Sequence, residues 1–121
     1  MKQDLELIRK IILLIEDSAH GFAPTVIKIE NYSQEQIDYH AYLIIDAGLA
    51  VGNITTNTLS QSPQAVLRNL TSSGHDFAVT ARSETMWKKA MDTVKEKGGT
   101  ITVGVLIQLL ATIVKTHYGL S

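Results

Sequence analysis

The stretch from Ser33 to Leu70 constrains the fold most, because helical periodicity gives way there to a pair of strand patterns within one short span. Ser33 followed by Gln36 is a capping box, which predicts a helix starting near Gln34. Gly48 stops that helix as the residue just past its C-terminus. Leu49 to Ile54 and Ala65 to Leu70 then read as two strands, and the polar run Thr55 to Pro63 between them reads as a turn. The unit is therefore a helix running straight into a hairpin with a loose tip.

Helices flank this unit on both sides. From Asp4 to Asp17, Leu5, Leu7, Ile8, Ile11, Ile12, Leu14 and Ile15 fall on one half of a helical wheel. Lys2, Glu6, Arg9, Lys10, Glu16 and Asp17 fall on the other, with Leu13 alone among them. Asp4 complements the helix N-terminus, and Glu6 with Lys10 forms an i,i+4 pair. Ser18 to Gly21 ends the helix, and Pro24 to Ile29, with β-branched Val26 and Ile27, reads as a short strand. After the hairpin, a helix runs to about Ala81. Ser83 caps the next, from Glu84 to Lys97, with Met86, Trp87, Ala90, Met91 and Val94 inside. A last helix spans about Thr102 to His117.

A chain of 121 residues has room for one core. The expected class is α+β, mainly α: a winged-helix-like arrangement of helix, short strand, helix and β-hairpin wing, with additional C-terminal helices. Residues 1–82 would form the winged-helix-like core, with residues 83–121 as a helical pair packed on it. One helix of a helix-turn-helix is missing, because the segment before Ser33 looks extended.

Several phrases together carry a resemblance: Met1-Lys2-x-Asp4-Leu5-x-Leu7-Ile8-Arg9-Lys10-Ile11, Tyr39-His40, Ala47-Gly48-Leu49, Leu70-Thr71-x-x-Gly74-His75-x-Phe77, Trp87-Lys88-Lys89 and Lys95-x-Lys97-Gly98-Gly99. In this order they resemble a family of short bacterial and prophage proteins filed as domain of unknown function twenty-five thirteen. The resemblance implies a phage-associated, cytoplasmic origin and a winged-helix-like fold. It implies no catalytic residue.

Charge bears on partners. The net charge of −1 is a cancellation. Residues 1–60 carry four Lys or Arg against eight Asp or Glu, and residues 61–121 carry seven against four. The helix after Ser33 presents Glu35, Asp38, Tyr39, Tyr42 and Asp46 outward, with no cation. The loop from Thr55 to Gln64 has no Lys or Arg either. DNA affinity comes largely from neutralising phosphates, so a winged helix of this kind is poorly equipped for the major groove. Tyrosines among carboxylates suit a protein surface better. Glu35, Asp38, Tyr39, Tyr42 and Asp46 are therefore the expected partner-binding residues. The alternative is a DNA-binding regulator using Arg68, Arg82, Lys88, Lys89, Lys95 and Lys97.

Enzymatic chemistry is not expected. None of His20, His40, His75 and His117 pairs with another histidine or a carboxylate at a metal-ligand spacing, and no cofactor motif is present. His40 falls on the inner arc of its helix and is expected to be a hydrogen-bonded core histidine. His75, in Gly74-His75-x-Phe77, is expected to fix the corner between hairpin and helix. With no cysteine there is neither a disulfide framework nor a thiolate site. The uncharged run Gly98 to Val114 falls short of the ~20 apolar residues of a membrane span. No secretory signal is apparent at the N-terminus, so the expected location is cytoplasmic. Apolar residues cover about two-thirds of the last helix, more than one core-facing stripe needs. A homodimer through Leu106, Leu110 and Ile113 is the expectation. The whole reads as a small non-enzymatic phage accessory protein that binds another protein, for example as an inhibitor of a host or defence factor.

Overall fold

In the computed structural model, residues 2–55 and 62–119 are described. The elements, in order, are α1 (Leu5–Glu16), a short 3-10 turn (Ala19–Gly21), α2 (Gln34–Asp46), β1 (Ala50–Thr55), β2 (Gln64–Leu70), α3 (Ser72–Arg82), α4 (Glu84–Glu96) and α5 (Val103–His117). The class is α+β, mainly helical, as the sequence pattern indicates. The tip of the hairpin, residues 56–61, lies outside the described residues.

Helix α1 forms the centre. Leu7, Ile8, Ile11 and Ile12 are fully buried and Ile15 is nearly so. It packs against α2 and β2 as well as against α3. Helices α4 and α5 close the far side by packing on α3 and on each other. One continuous apolar core results, which includes Trp87, Ala90, Val103, Leu106 and Leu110. Leu13, expected alone on the polar arc, is half-buried against that core.

The helix starts follow their caps. Asp4 accepts from the Leu7 N–H, Ser33 and Gln36 exchange both bonds of a capping box, and Ser83 accepts from the Met86 N–H. Gly48 adopts φ +79° just after α2, a conformation that suits glycine. The strands pair antiparallel, from Ala50 opposite Leu70 to Thr55 opposite Gln64. A bulge between Val51 and Gly52 leaves Arg68 outside the pairing.

Two expectations change here. Pro24 to Ile29 is not a strand. Phe22 alone forms a bridge, to Asn69, and the Ala23 N–H donates to the Arg68 carbonyl at 2.8 Å. Pro24, which has no N–H, ends the pairing. Beyond it Ile27 turns into the core and Val26 faces solvent. Nor does the His75 side chain make the corner after the hairpin. It reaches Glu16 at the end of α1, with Nδ1 2.6 Å from Oε2. Thr71 and Gly74 make the corner. The Thr71 hydroxyl donates to the Gly48 carbonyl at 2.7 Å and accepts from the Gly74 N–H, while the Thr71 N–H donates to the Leu49 carbonyl. A Cβ on Gly74 would collide with that same Leu49 carbonyl oxygen.

Candidate functional site

Helix α2 carries the expected binding face, and its inner side explains why that face is held still. His40 is 1% exposed. Its Nε2 accepts from the Asp4 N–H at 2.8 Å, and its Nδ1 lies 2.7 Å from the Gln36 carbonyl oxygen. Both contacts are satisfied by a neutral ring protonated on Nδ1. Burial lowers the His40 pKa and outweighs the opposing pull of the Gln36 carbonyl and the Asp4 carboxylate. Asp4 is the knot between α1 and α2, because its other carboxylate oxygen accepts from the Tyr32 hydroxyl at 3.0 Å. Burial, then that hydrogen bond, raises the Tyr32 pKa.

Outward from His40 the aromatic rings form a small plate. Tyr39 meets the His40 ring edge-on, with centroids 5.5 Å apart. Tyr39 and Tyr42, three residues apart on one helix face, stack at 6.3 Å and 28°. Both are half-buried, as is Asp38, whose Oδ1 accepts from the Gln34 side chain at 2.9 Å. Glu35 and Asp46 are exposed. The face thus presents anchored aromatic surface flanked by three carboxylates, with no Lys or Arg from Gln34 to Asp46. All five expected partner-binding residues belong to this one helix.

The expected cationic residues are scattered. Arg68 lies on β2 with its Nε 3.4 Å from the Asn69 side chain. Arg82, at the end of α3, is bound by Asp17 at 2.6 Å. Lys88 pairs with Asp92 at 3.1 Å along α4. Lys89, Lys95 and Lys97 are exposed. Asp17 and Asp92 offset two of these six charges within the chain.

Helix α5 places two of its three expected dimer residues inside the molecule. Leu106 is fully buried and Leu110 is 2% exposed, both in the chain's own core, so neither side chain is free to meet a second copy. The reason is the double cover from α3 and α4. Ile113 is half-buried.

One cluster was not foreseen. Arg9 is expected only on a polar arc, and Glu6 is expected to pair with Lys10. Instead the Arg9 Nε donates to the Ala81 carbonyl at 2.8 Å, and its two terminal nitrogens reach Glu6 and Glu84 at 3.2 and 3.0 Å. Its guanidinium lies 5.2 Å from the centre of the Trp87 ring, and the Trp87 N–H donates to Glu6 at 2.9 Å. Lys10 instead lies over Tyr32. The i,i+3 spacing of Glu6 and Arg9 was the available signal, but Trp87 is 78 positions away from Arg9 in sequence.

Among the described residues no group of three or more His, Asp or Glu side chains could hold a metal ion, and no helix is long and apolar enough to cross a membrane. A family model described as a hypothetical protein, DUF2513, matches residues 2–100. An uncharacterised protein of Haemophilus influenzae is 27% identical over 117 residues, which cover 94% of this chain and 96% of that relative. No solved structure matches.

Proposed function

The chain belongs to the DUF2513 family, and from that premise we propose that it is a small non-enzymatic accessory protein that works by binding another protein through α2. The observation that carries this reading is the outer face of α2: stacked Tyr39 and Tyr42, with Glu35, Asp38 and Asp46 around them and no cation. Aromatic side chains held in place contribute large contact area with little ordering entropy. Carboxylates around them select a basic surface and speed encounter with it. A basic groove on a host or defence factor, including one that otherwise takes nucleic acid, is such a surface. Inhibition by occupying it fits the phage association that the resemblance implies.

The test is a tagged pull-down from host lysate, beside a genomic-DNA binding assay. The Glu35→Ala/Asp38→Ala/Tyr42→Ala variant should keep its helical circular dichroism and lose partner binding by about tenfold or more. Full retention by a folded variant overturns the reading. The winged-helix regulator reading rests on exposed Lys89, Lys95 and Lys97. It would show as a mobility shift that weakens steeply with salt.

A further inference from the structure

Helix α5 has more apolar surface than its own core covers. Val103, Leu106 and Leu110 face inward, while Ile107, Leu109, Ile113 and Val114 are only half-buried. Alongside it, α3 and α5 form the two walls of an open groove of about 460 Å³. Val79 stands on the α3 side and Ile107, Val114 and Tyr118 on the other, with the buried Phe77 and Leu110 at the floor. Val79 is 66% exposed and Tyr118 is 63% exposed. Contiguous exposed apolar surface of this kind marks an interaction site.

Charge identifies the occupant. Asp76 on the α3 wall and Lys115 on the α5 wall are both exposed, and neither has an ion-pair partner among the described residues. We propose that a second copy of this chain seats on the groove about a twofold axis running along it. A half-turn about that axis lays α3 of each copy over α5 of the other. Asp76 then faces Lys115 of the second copy, and Lys115 faces its Asp76, so one contact is made twice. The same rotation exchanges the walls that carry Val79 and Tyr118, so apolar surface meets apolar surface. An unrelated partner would have to supply base, acid and apolar filling in matching order; a second copy supplies all three by symmetry. This face differs from the one that the sequence suggested, because Leu106 belongs to the core and Leu110 is only the groove's floor.

The dimer shares no residue with the outer face of α2, so it stands or falls independently of the function proposed above. Where both hold, each assembly displays two acidic tyrosine faces.

Sedimentation velocity at micromolar concentration tests the proposal on four samples: the natural chain, Asp76→Lys, Lys115→Asp, and an equal mixture of the two variants. The natural chain should sediment as a dimer. Each variant alone places like charges opposite one another twice and should raise the dimer dissociation constant by about tenfold or more. The mixture should recover the dimer, because one copy then carries both cations and the other both anions. Circular dichroism confirms that each variant is folded, as expected for exposed sites. A monomeric natural chain overturns the proposal, including the case in which some other protein fills the groove. So does a variant that dimerises like the natural chain, or a mixture no heavier than its components.

Discussion

At His40 the two ring nitrogens have opposite duties, one donating to Gln36 and the other accepting from the Asp4 N–H. A second proton on the ring would set an N–H against an N–H at the start of α1. The folded-state pKa is depressed by burial, so the unfolded chain binds the proton more readily. The contribution of His40 to stability is therefore complete above the unfolded value of about 6.5 and is lost as pH falls from there through the lowered folded value. Urea midpoints measured across that range should fall with acidity in the natural chain. The fall should be shallower in His40→Gln, which cannot take up the proton. Gly74 makes a steric demand instead. A methyl group there meets the Leu49 carbonyl oxygen, which already accepts from Thr71, so α3 must shift away from the strand. Gly74→Ala should cost roughly 2–4 kcal/mol in denaturant unfolding, far more than an exposed glycine-to-alanine change.

Among the elements, α2 and the hairpin were the most legible in sequence because their signals are local. Ser33, Gln36 and Gly48 act within a few residues of where they stand, and the helix starts and stops beside them. Ser33→Ala should lower unfolding stability by about 1 kcal/mol, because it leaves the Gln36 N–H without its cap. Pro24 to Ile29 departs from its strand pattern for the converse reason. Val26 and Ile27 give β propensity, but a strand exists only where an edge runs alongside it, and that edge is taken up only at Asn69 and Arg68. The breadth of the apolar arc on α5 was equally legible, while the cover over Leu106 and Leu110 depended on how α3 and α4 pack. Periodicity puts His40 on the inner arc of α2 and the tyrosines and acids on the outer one, where Glu35 and Asp46 are exposed and Asp38, Tyr39 and Tyr42 are half-buried; the stacking of the rings and the Asp4 bond to His40 needed three dimensions. Arg9 belongs at this scale too, since it ties α1 to the junction of α3 and α4. Arg9→Ala should destabilise by about 2 kcal/mol. In a double-mutant cycle with Trp87→Phe the two losses should fall short of additive, because both side chains share Glu6.

Over the whole molecule the opposed charges of the two halves are partly spent on holding the halves together. Asp17 binds Arg82 and Glu16 binds His75, so the acidic end of α1 is fastened to α3 at both points. Among the described residues with no ion-pair partner, Glu35, Asp38 and Asp46 lie on α2, and Lys89, Lys95 and Lys97 lie on or just after α4. The division into residues 1–82 and a C-terminal helical pair does not divide the apolar core, which runs from Leu7 to Leu110. Calorimetry should therefore show one transition whose direct and van 't Hoff enthalpies agree, with no earlier loss of α4 and α5.

Trp87 is the chain's single tryptophan, and it stands on the seam where α4 meets α1, beneath one cation and bonded to one carboxylate. The molecule thus contains its own optical gauge. Any event that parts the C-terminal helices from α1 must alter the emission of that one indole, without an added label and without background from a second.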